Sequence, residues 1–219
     1  MKLPFLGRRN VGTATAVSEG GAEDRHSRAF DAAVEFLLTR ERRRVLDFGA
    51  AAGENVAFFS EVGCKLEILD LYPQLVERPD RLARTHEPFA IEHLIRSILE
   101  ARPGHDENGP GDTFDLLLTW DLFDFLSPEQ IRGLSEGIEP YTEVGTRLMA
   151  QVSFLGTVPT TPRSIKIQDH QTLRISSQPG QRPSPRYAEP QLLKVLPGWE
   201  VERCFLQRDG FREYLFVRR

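Results

Sequence analysis

Residues 44–53 read RVLDFGAAAG, and this stretch determines how the rest of the chain is interpreted. Val45, Leu46 and Phe48 form a short apolar run, which is typical of a strand buried on both faces of a parallel sheet. Small residues continue to Gly53, and residues 54–61 are amphipathic. The stretch therefore predicts a strand, a tight turn and a helix, with the turn open to a ligand at the carboxyl end of the strand.

The negative charge of this turn bears on the kind of ligand. Asp47 ends the predicted strand and Glu54 begins the predicted helix. A phosphate-binding loop would place lysine and serine or threonine after Gly53, and a dinucleotide fingerprint would place glycine at Ala51. A carboxylate at a helix N-terminus suits the helix dipole but repels a pyrophosphate. The turn thus favours a cationic or zwitterionic ligand over a phosphate.

Residues 47–53, DFGAAAG, resemble the acidic-x-Gly-x-x-x-Gly motif of class I S-adenosylmethionine-dependent methyltransferases. In that family the turn lies against the amino-acid part of the cofactor. The resemblance implies an α/β fold with a doubly wound, mostly parallel sheet that ends in an antiparallel C-terminal β-hairpin. A plain α/β turn without a ligand remains the alternative on this motif alone. The turn residues implied in cofactor binding are Asp47, Gly49, Ala50, Ala51 and Gly53.

A second acidic residue follows the next predicted strand, residues 65–70. Asp70 ends that strand, where a carboxylate can accept two hydrogen bonds from a ribose diol at little electrostatic cost. In the methyltransferase family the matching acid binds the adenosine ribose, so the resemblance adds Asp70 and its neighbour Leu71 to the cofactor site. Because the same feature would serve NAD, Asp70 indicates adenosine rather than a reaction.

Residues 114–120 predict a buried strand that opens into an acidic, aromatic loop. The family's fourth strand opens in this way toward the methyl group, and Asp121 occupies the matching acidic position. The resemblance therefore places Trp120 and Asp121 at the cofactor. Asp121 and Asp124 are candidates to orient or deprotonate a nucleophile. The rings of Trp120, Phe123 and Phe125 flank these acids, and a ring face can attract the sulfonium or a cationic substrate by a cation–π interaction. The alternative is that two of the three rings simply fill the core beneath the loop.

Two strand-like runs, residues 199–206 and 211–218, close the chain and are joined by Gln-Arg-Asp-Gly. Asp-Gly between such runs is a strong hairpin signal, and strands joined so tightly must be antiparallel. The methyltransferase family ends its sheet with such a hairpin and inserts the last strand between the fifth and sixth. This pattern supports the fold independently of the cofactor motifs.

The stretch after Asp70 departs from the family pattern. Residues 72–84 predict a crossover helix and residues 102–112 a surface loop. Between them, residues 88–101 favour a helix where the family has its third strand, with residues 89–91 as the candidate remnant of that strand. The residues that would contact adenine are therefore not assigned.

Other helices are predicted by local patterns. Residues 26–40 carry an apolar stripe at helical spacing, before the first strand of the sheet. A further helix begins at Ser127 as the cap, with Pro128 in the first turn and Gln130 completing a capping box.

We interpret residues 24–219 as one methyltransferase-like domain, preceded by a mobile tail at residues 1–23. Residues 154–190 are rich in proline, serine and threonine, and we expect a variable, substrate-specific insertion there. Within it, residues 164–168 and 172–175 predict a small hairpin.

Composition narrows the functional classes. The chain has 219 residues and a net charge of -4, which suits one α/β domain without a basic field for nucleic acid. No apolar run approaches the ~20 residues of a membrane span. Cys64 and Cys204 are predicted to be reduced, partly buried thiols of a cytoplasmic protein. The five histidines show no metal-ligand spacing, so no metal site is predicted.

The sequence thus predicts an S-adenosylmethionine-dependent methyltransferase with a small-molecule acceptor. Methyl transfer from a sulfonium needs orientation rather than a nucleophile or a metal cluster. A non-catalytic, methyltransferase-like module that binds the cofactor or a partner is the alternative, since the third strand is missing and the turn is filled with alanine. A nicotinamide-dependent oxidoreductase is disfavoured by Ala51 and Glu54. The identity of the acceptor and the oligomeric state stay open.

Overall fold

The computed structural model describes residues 21–41, 43–73, 88–102 and 113–219, and a six-stranded sheet forms its centre. The strands of the described residues are β1 (Glu23–His26), β2 (Arg44–Asp47), β3 (Lys65–Ile68), β4 (Leu116–Trp120), β5 (Arg147–Ser153), β6 (Thr157–Pro159), β7 (Ser164–Ile167), β8 (Thr172–Ser176), β9 (Gln181–Pro183), β10 (Trp199–Leu206) and β11 (Phe211–Arg218). The α-helices are α1 (Arg28–Leu38), α2 (Gly53–Glu61), α3 (Pro88–Glu100), α4 (Pro128–Ile138) and α5 (Glu189–Val195).

The strand order of the central sheet is β10-β11-β5-β4-β2-β3. β3, β2, β4 and β5 run parallel, and β11 pairs antiparallel with both β5 and β10. The C-terminal hairpin has the predicted bounds, and its last strand lies between β5 and β10. Gly210 in its turn has φ of +88°, a left-handed conformation that glycine adopts readily.

Both faces of the sheet are covered. Neighbouring residues of a strand point to opposite faces, and Val45 and Leu46 are both fully buried. Val45 packs in one cluster with Phe30 of α1 and Phe59 of α2, and Leu46 packs in another with Ile95 of α3. The predicted doubly wound α/β sheet with an antiparallel C-terminal hairpin is confirmed.

The helix before β2 is shorter than its sequence pattern. The Ser27 hydroxyl accepts the N–H of Phe30 and caps α1, while His26 belongs to β1. Leu38, expected on the buried stripe, is 47% exposed. For α4 the predicted capping box of Ser127 and Gln130 is present. No helix in the described ranges combines the length and the apolar character needed to cross a bilayer.

The region of the family's third strand is helical. α3 contains residues 89–91, so the interpretation of these residues as a strand remnant is wrong. A run with apolar residues three and four apart forms a helix because those residues share one face. Residues 74–84 of the expected crossover helix and residues 103–112 of the expected loop lie outside the described residues.

The expected insertion contains the predicted hairpin, because β7 and β8 pair antiparallel. β1 adds to β8 and completes a three-stranded sheet, and β6 pairs with β9. Glu23, which the sequence analysis placed at the end of the tail, pairs with Ile175 in this sheet. Residues 1–20 lie outside the described residues, so the tail and the domain bounds stay predictions.

The two cysteines are free, but only one is partly buried. Burial raises the pKa of Cys64 to about 11, so the thiol form is favoured. Cys204 is exposed, contrary to the prediction, because β10 is the outermost strand of the sheet and its alternate residues face solvent.

Candidate functional site

A cavity of about 540 Å³ opens at the carboxyl ends of β2, β3 and β4. One wall is the glycine turn, as we name residues 48–53, and Asp70 and Tyr72 lie beside it. Residues 119–122, at the end of β4, form a second wall. Residues 161–166 of the expected insertion form the third, here called the roof. Parallel α/β sheets bind ligands at this edge, so the cavity is the candidate site.

Asp47 lies beneath the glycine turn and is 1% exposed. Its Oδ1 atom accepts the backbone N–H of Gly49 at 2.8 Å and the indole N–H of Trp120 at 2.7 Å. A Cβ atom on Gly49 would lie 2.8 Å from Cδ1 of Trp120, so the indole leaves room only for glycine. Asp47 therefore shapes the turn from below and is not itself a wall of the cavity.

The ionisation of Asp47 is perturbed by its surroundings. Burial raises the pKa of Asp47 to about 6, and the nearby negative charge of Asp70 also raises it. The hydrogen bonds from Gly49, Trp120 and Asn55 lower the pKa but do not outweigh burial. A carboxyl group that titrates near neutrality at the edge of a cavity is typical of functional sites.

The first turn of α2 has features that fit the amino-acid end of a zwitterionic ligand. Ala52 lies at the N-cap of the helix and provides no side-chain hydrogen bond to the amides of the first turn. Among the described residues, no atom would lie within 4 Å of a Cβ atom on Gly53. Packing therefore does not require glycine at this position, and its missing side chain enlarges the cavity beside uncapped N–H groups that favour a carboxylate.

Glu54 does not repel anions as strongly as the sequence suggested. Lys166 of β7 donates to its Oε1 atom at 2.7 Å, and this contact lowers the pKa of Glu54. The net charge of the pair is zero, and both residues line the cavity. The expected discrimination against phosphates therefore falls to Asp47 and to Asp70, which also lines the cavity.

Trp120 has an unusual backbone for a bulky residue. Its φ is +49°, and the pairing of β4 with β5 is irregular between Leu118 and Trp120. The side chain is 4% exposed and its ring lies 6.0 Å from that of Phe30, yet the residue also lines the cavity. Trp120 thus contributes to both the core and the site.

Asp121 lies in the cavity wall and forms a buried ion pair with the roof. Its Oδ2 atom accepts the backbone N–H and the Nε–H of Arg163, each at 3.0 Å. Arg163 also donates to Oε1 of Gln151 at 2.6 Å, and its guanidinium lies 3.6 Å from the ring centroid of Phe211. The pair therefore joins the end of β4 to the roof.

Three of the predicted site residues are not among those that line the cavity: Asp47, described above, Asp124 and Leu71. Asp124 is buried, and its carboxylate accepts the backbone N–H of Ser153 at 2.9 Å. Burial raises the pKa of Asp124 to about 7. Leu71 is fully buried in the core on the side of α3 and α4. By contrast, the cavity is lined by Gly49, Ala50, Ala51, Gly53, Asp70, Trp120 and Asp121.

The attachment of the roof was not predicted from the sequence. The side-chain amide of Asn55 in α2 donates to the carbonyl of Ile165 at 3.2 Å and accepts the N–H of Ile167 at 2.8 Å. It thus bonds the backbone of β7 as a neighbouring strand would. Together with Arg163 and Lys166, it fixes β7 against the glycine turn. One feature of the sequence could have indicated this attachment. Asp121 directly follows a buried strand, and a buried acid requires a partner.

Residues 22–129 match a family model described as a methyltransferase domain. The solved structures similar to this chain include the glycopeptide N-methyltransferase MtfA complexed with S-adenosyl-L-methionine, at 16% identity, covering 87% of this chain and 94% of that one, with a TM-score of 0.43. DesVI of Streptomyces venezuelae is 13% identical, with 87% and 90% covered and a TM-score of 0.46.

The CcbJ methyltransferase of Streptomyces caelestis is 14% identical, with 88% of this chain and 94% of that chain covered and a TM-score of 0.43. No curated protein matches this chain. The segment matched by the family model contains the glycine turn, Asp70 and the end of β4. The match therefore shows that residues 22–129 of this chain are similar to a methyltransferase domain.

Proposed function

We propose that this chain binds S-adenosylmethionine in the cavity at the ends of β2, β3 and β4 and transfers its methyl group to a small-molecule acceptor. The observation that carries this proposal is that the glycine turn and Asp70 face the same cavity of about 540 Å³. That volume is within the usual range for small-molecule sites.

The amino-acid end of the donor would be held at the glycine turn. The uncapped first turn of α2 suits the carboxylate, and the space at Gly53 lets a ligand approach the backbone. The negative charge of Asp70, and that of Asp47 above its pKa, favours a ligand that carries positive charge. S-adenosylmethionine has this combination of charges.

The adenosine end would be held by Asp70. A carboxylate in the cavity wall can accept two hydrogen bonds from a ribose diol, and such charge-assisted bonds are stronger than neutral ones. Tyr72 lies beside Asp70 in the wall, and its ring meets that of Phe125 edge-on at 5.3 Å between centroids. The two residues therefore define one side of the donor site.

When bound, S-adenosylmethionine supplies a methyl group on a positively charged sulfur. The contribution of this chain is to orient donor and acceptor and to keep water out. The Oδ2 atom of Asp121 is engaged by Arg163, and Asp124 is bound to the backbone of Ser153 away from the cavity wall. We therefore assign both acids to holding the site rather than to removing a proton from the acceptor.

Calorimetry of the full chain with S-adenosylhomocysteine, S-adenosylmethionine and NAD tests the proposal. We expect both sulfur nucleosides to bind and NAD not to bind, because the glycine turn lacks the dinucleotide pattern. The variant Glu35→Gln removes an exposed carboxylate of α1 outside the cavity, and its affinity for each ligand should equal that of the wild type. Binding of NAD alone would overturn the proposed function.

Turnover is tested by incubating the chain with labelled S-adenosylmethionine and a fractionated small-molecule extract. Labelled product in a low-mass fraction, together with S-adenosylhomocysteine, is the expected result. Binding without product in any fraction would instead favour the non-catalytic module. We further propose a cytoplasmic location, since the thiols of Cys64 and Cys204 are free, and localisation of the tagged chain tests it.

A further inference from the structure

We propose that Trp120 is a positioning residue, which fixes the glycine turn through the Asp47 carboxylate rather than by contacting the reacting methyl group. This inference rests on the proposed function, because the turn is the part of the site assigned to the amino-acid end of the donor. The sequence predicted only two roles for this side chain, a cation–π contact with the sulfonium or packing in the core, and positioning the turn is a third role.

The first support is a chain of two hydrogen bonds that share one atom. Oδ1 of Asp47 accepts the indole N–H of Trp120 at 2.7 Å and the backbone N–H of Gly49 at 2.8 Å. Both side chains are at least 95% buried, so water does not compete for these bonds. The orientation of the turn amide is thereby linked to the position of the indole.

The second support is the direct contact between the indole and the turn. A methyl group at Gly49 would lie 2.8 Å from Cδ1 and 3.1 Å from Nε1 of Trp120. The backbone of the turn therefore rests on the edge of the ring. A turn that is bonded to Asp47 and supported by this ring keeps its shape before a ligand arrives.

The third support is the backbone strain at Trp120. A left-handed φ of +49° is unfavourable for a bulky residue, and it persists only where surrounding contacts hold it. The hydrogen bond to Asp47 and the packing of the ring near Phe30 supply those contacts. Strain kept at the wall of a cavity indicates that the orientation of this side chain serves the site.

The groups that face the Asp47 carboxyl determine how the link responds to pH. They are the Gly49 amide in the turn, Asn55 on α2, Asp70 after β3 and the Trp120 indole after β4. Asp70 is the charged member of this set. The carboxylate form accepts both hydrogen bonds fully, so the indole should report the ionisation of Asp47.

The first experiment uses tryptophan fluorescence without any ligand. The chain has two tryptophans, and Trp199→Phe leaves Trp120 as the single emitter. We expect its emission to change in one step near pH 6, and the step to vanish in Trp199→Phe/Asp47→Asn. A step that persists unchanged without the Asp47 carboxyl would overturn the proposal.

The second experiment measures the affinity for S-adenosylhomocysteine by calorimetry at pH 8. Trp120→Phe removes the N–H donor, and we expect binding about tenfold weaker, the loss of one hydrogen bond to a charged group. Trp199→Phe is the matched control, since it makes the same change at a buried tryptophan of β10 outside the cavity, and its affinity should equal that of the wild type.

A double-mutant cycle separates positioning from bulk packing. If Trp120 acts through Asp47, the double variant Trp120→Phe/Asp47→Asn should bind no more weakly than Asp47→Asn alone. Additive losses, or wild-type affinity in Trp120→Phe, would overturn the proposal. If Trp120→Phe fails to fold, the fluorescence of Trp199→Phe/Asp47→Asn tests whether the indole of Trp120 is linked to the Asp47 carboxyl.

The two proposals fail in different ways. A wild-type chain that binds no S-adenosylhomocysteine but keeps the fluorescence step would overturn the proposed function and leave the link between Trp120 and Asp47 intact. A wild-type chain that binds the probe, with a fluorescence step independent of Asp47, would overturn only the positioning role.

Discussion

The Nε atom of Arg163 lies 3.0 Å from Oδ2 of Asp121, and both side chains are at most 5% exposed. The pair joins the carboxyl end of β4 to the roof. Asp209 lies 3.6 Å from another nitrogen of the same guanidinium and also pairs with Arg25 of β1. The wall of the cavity is thus tied to the C-terminal hairpin and to the N-terminal strand.

Arg163→Met should destabilise the fold by about 3–5 kcal/mol, because it leaves the buried carboxylate of Asp121 without its cation. Urea unfolding followed by circular dichroism measures the change. The exposed pair of Arg174 and Asp24 provides the matched control, and Arg174→Met should change the stability far less than Arg163→Met. Equal losses in the two variants would contradict the assignment of Arg163 as a buried support of the roof.

Two glycines of the turn should respond differently to alanine. Gly49→Ala introduces a methyl group 2.8 Å from Trp120, and we expect a loss of about 1–3 kcal/mol of stability together with weaker binding of S-adenosylhomocysteine. The methyl group of Gly53→Ala would meet no atom of the described residues within 4 Å, so the fold should be unaffected. Binding should weaken, because the methyl group occupies the cavity. Thermal unfolding and calorimetry on both variants check this. Unchanged affinity in Gly53→Ala would remove the turn from the site.

Asp70→Ala should weaken the binding of S-adenosylhomocysteine by about 1–3 kcal/mol through the loss of charge-assisted hydrogen bonds to the ribose. The thermal midpoint should change little by comparison. Binding of 5′-methylthioadenosine, which has the ribose but lacks the amino-acid end, should weaken in parallel. If neither ligand loses affinity, Asp70 does not bind the ribose.

Asp124 should make the stability fall as the pH rises. Burial raises the pKa of Asp124 in the folded chain from 3.8 to about 7, so the folded state holds its proton over a range in which the unfolded state has lost it. The stabilising contribution is complete below pH 4 and is lost toward pH 7, by about 2–4 kcal/mol.

Urea unfolding from pH 4.5 to 8 measures this loss. Asp124→Asn should remove most of the fall, with a smaller part left from Asp47, whose pKa is raised in the same direction. Asp24→Asn, at an exposed carboxyl with a lowered pKa, should leave the fall intact. A profile of Asp124→Asn that equals the wild-type profile would contradict the raised pKa.

The elements that could be predicted from the sequence are those with a local cause. The apolar run at β2, the capping box at Ser127 and the Asp-Gly turn before β11 each determine their structure within a few residues. They were sufficient for the fold and for the place of the glycine turn, because the ends of parallel strands meet at one edge of the sheet.

The parts that could not be predicted depend on distant partners. Arg163 is the partner of Asp121, and Lys166 is the partner of Glu54, but nothing in the spacing of these residues pairs them. The charge of Glu54 was therefore given too much weight. Cys204 illustrates a related error, since strand alternation does not tell which face of an edge strand is covered.

The pairing of β1 with β8 has a practical consequence for anyone who shortens this protein. β1 is one outer strand of its three-stranded sheet, and β8 is the central one. Removal of the residues before α1 would make β8 an edge strand, and its unpaired amides and carbonyls could pair with a strand of a second molecule. Such a shortened form should self-associate, although every residue that lines the cavity would still be present.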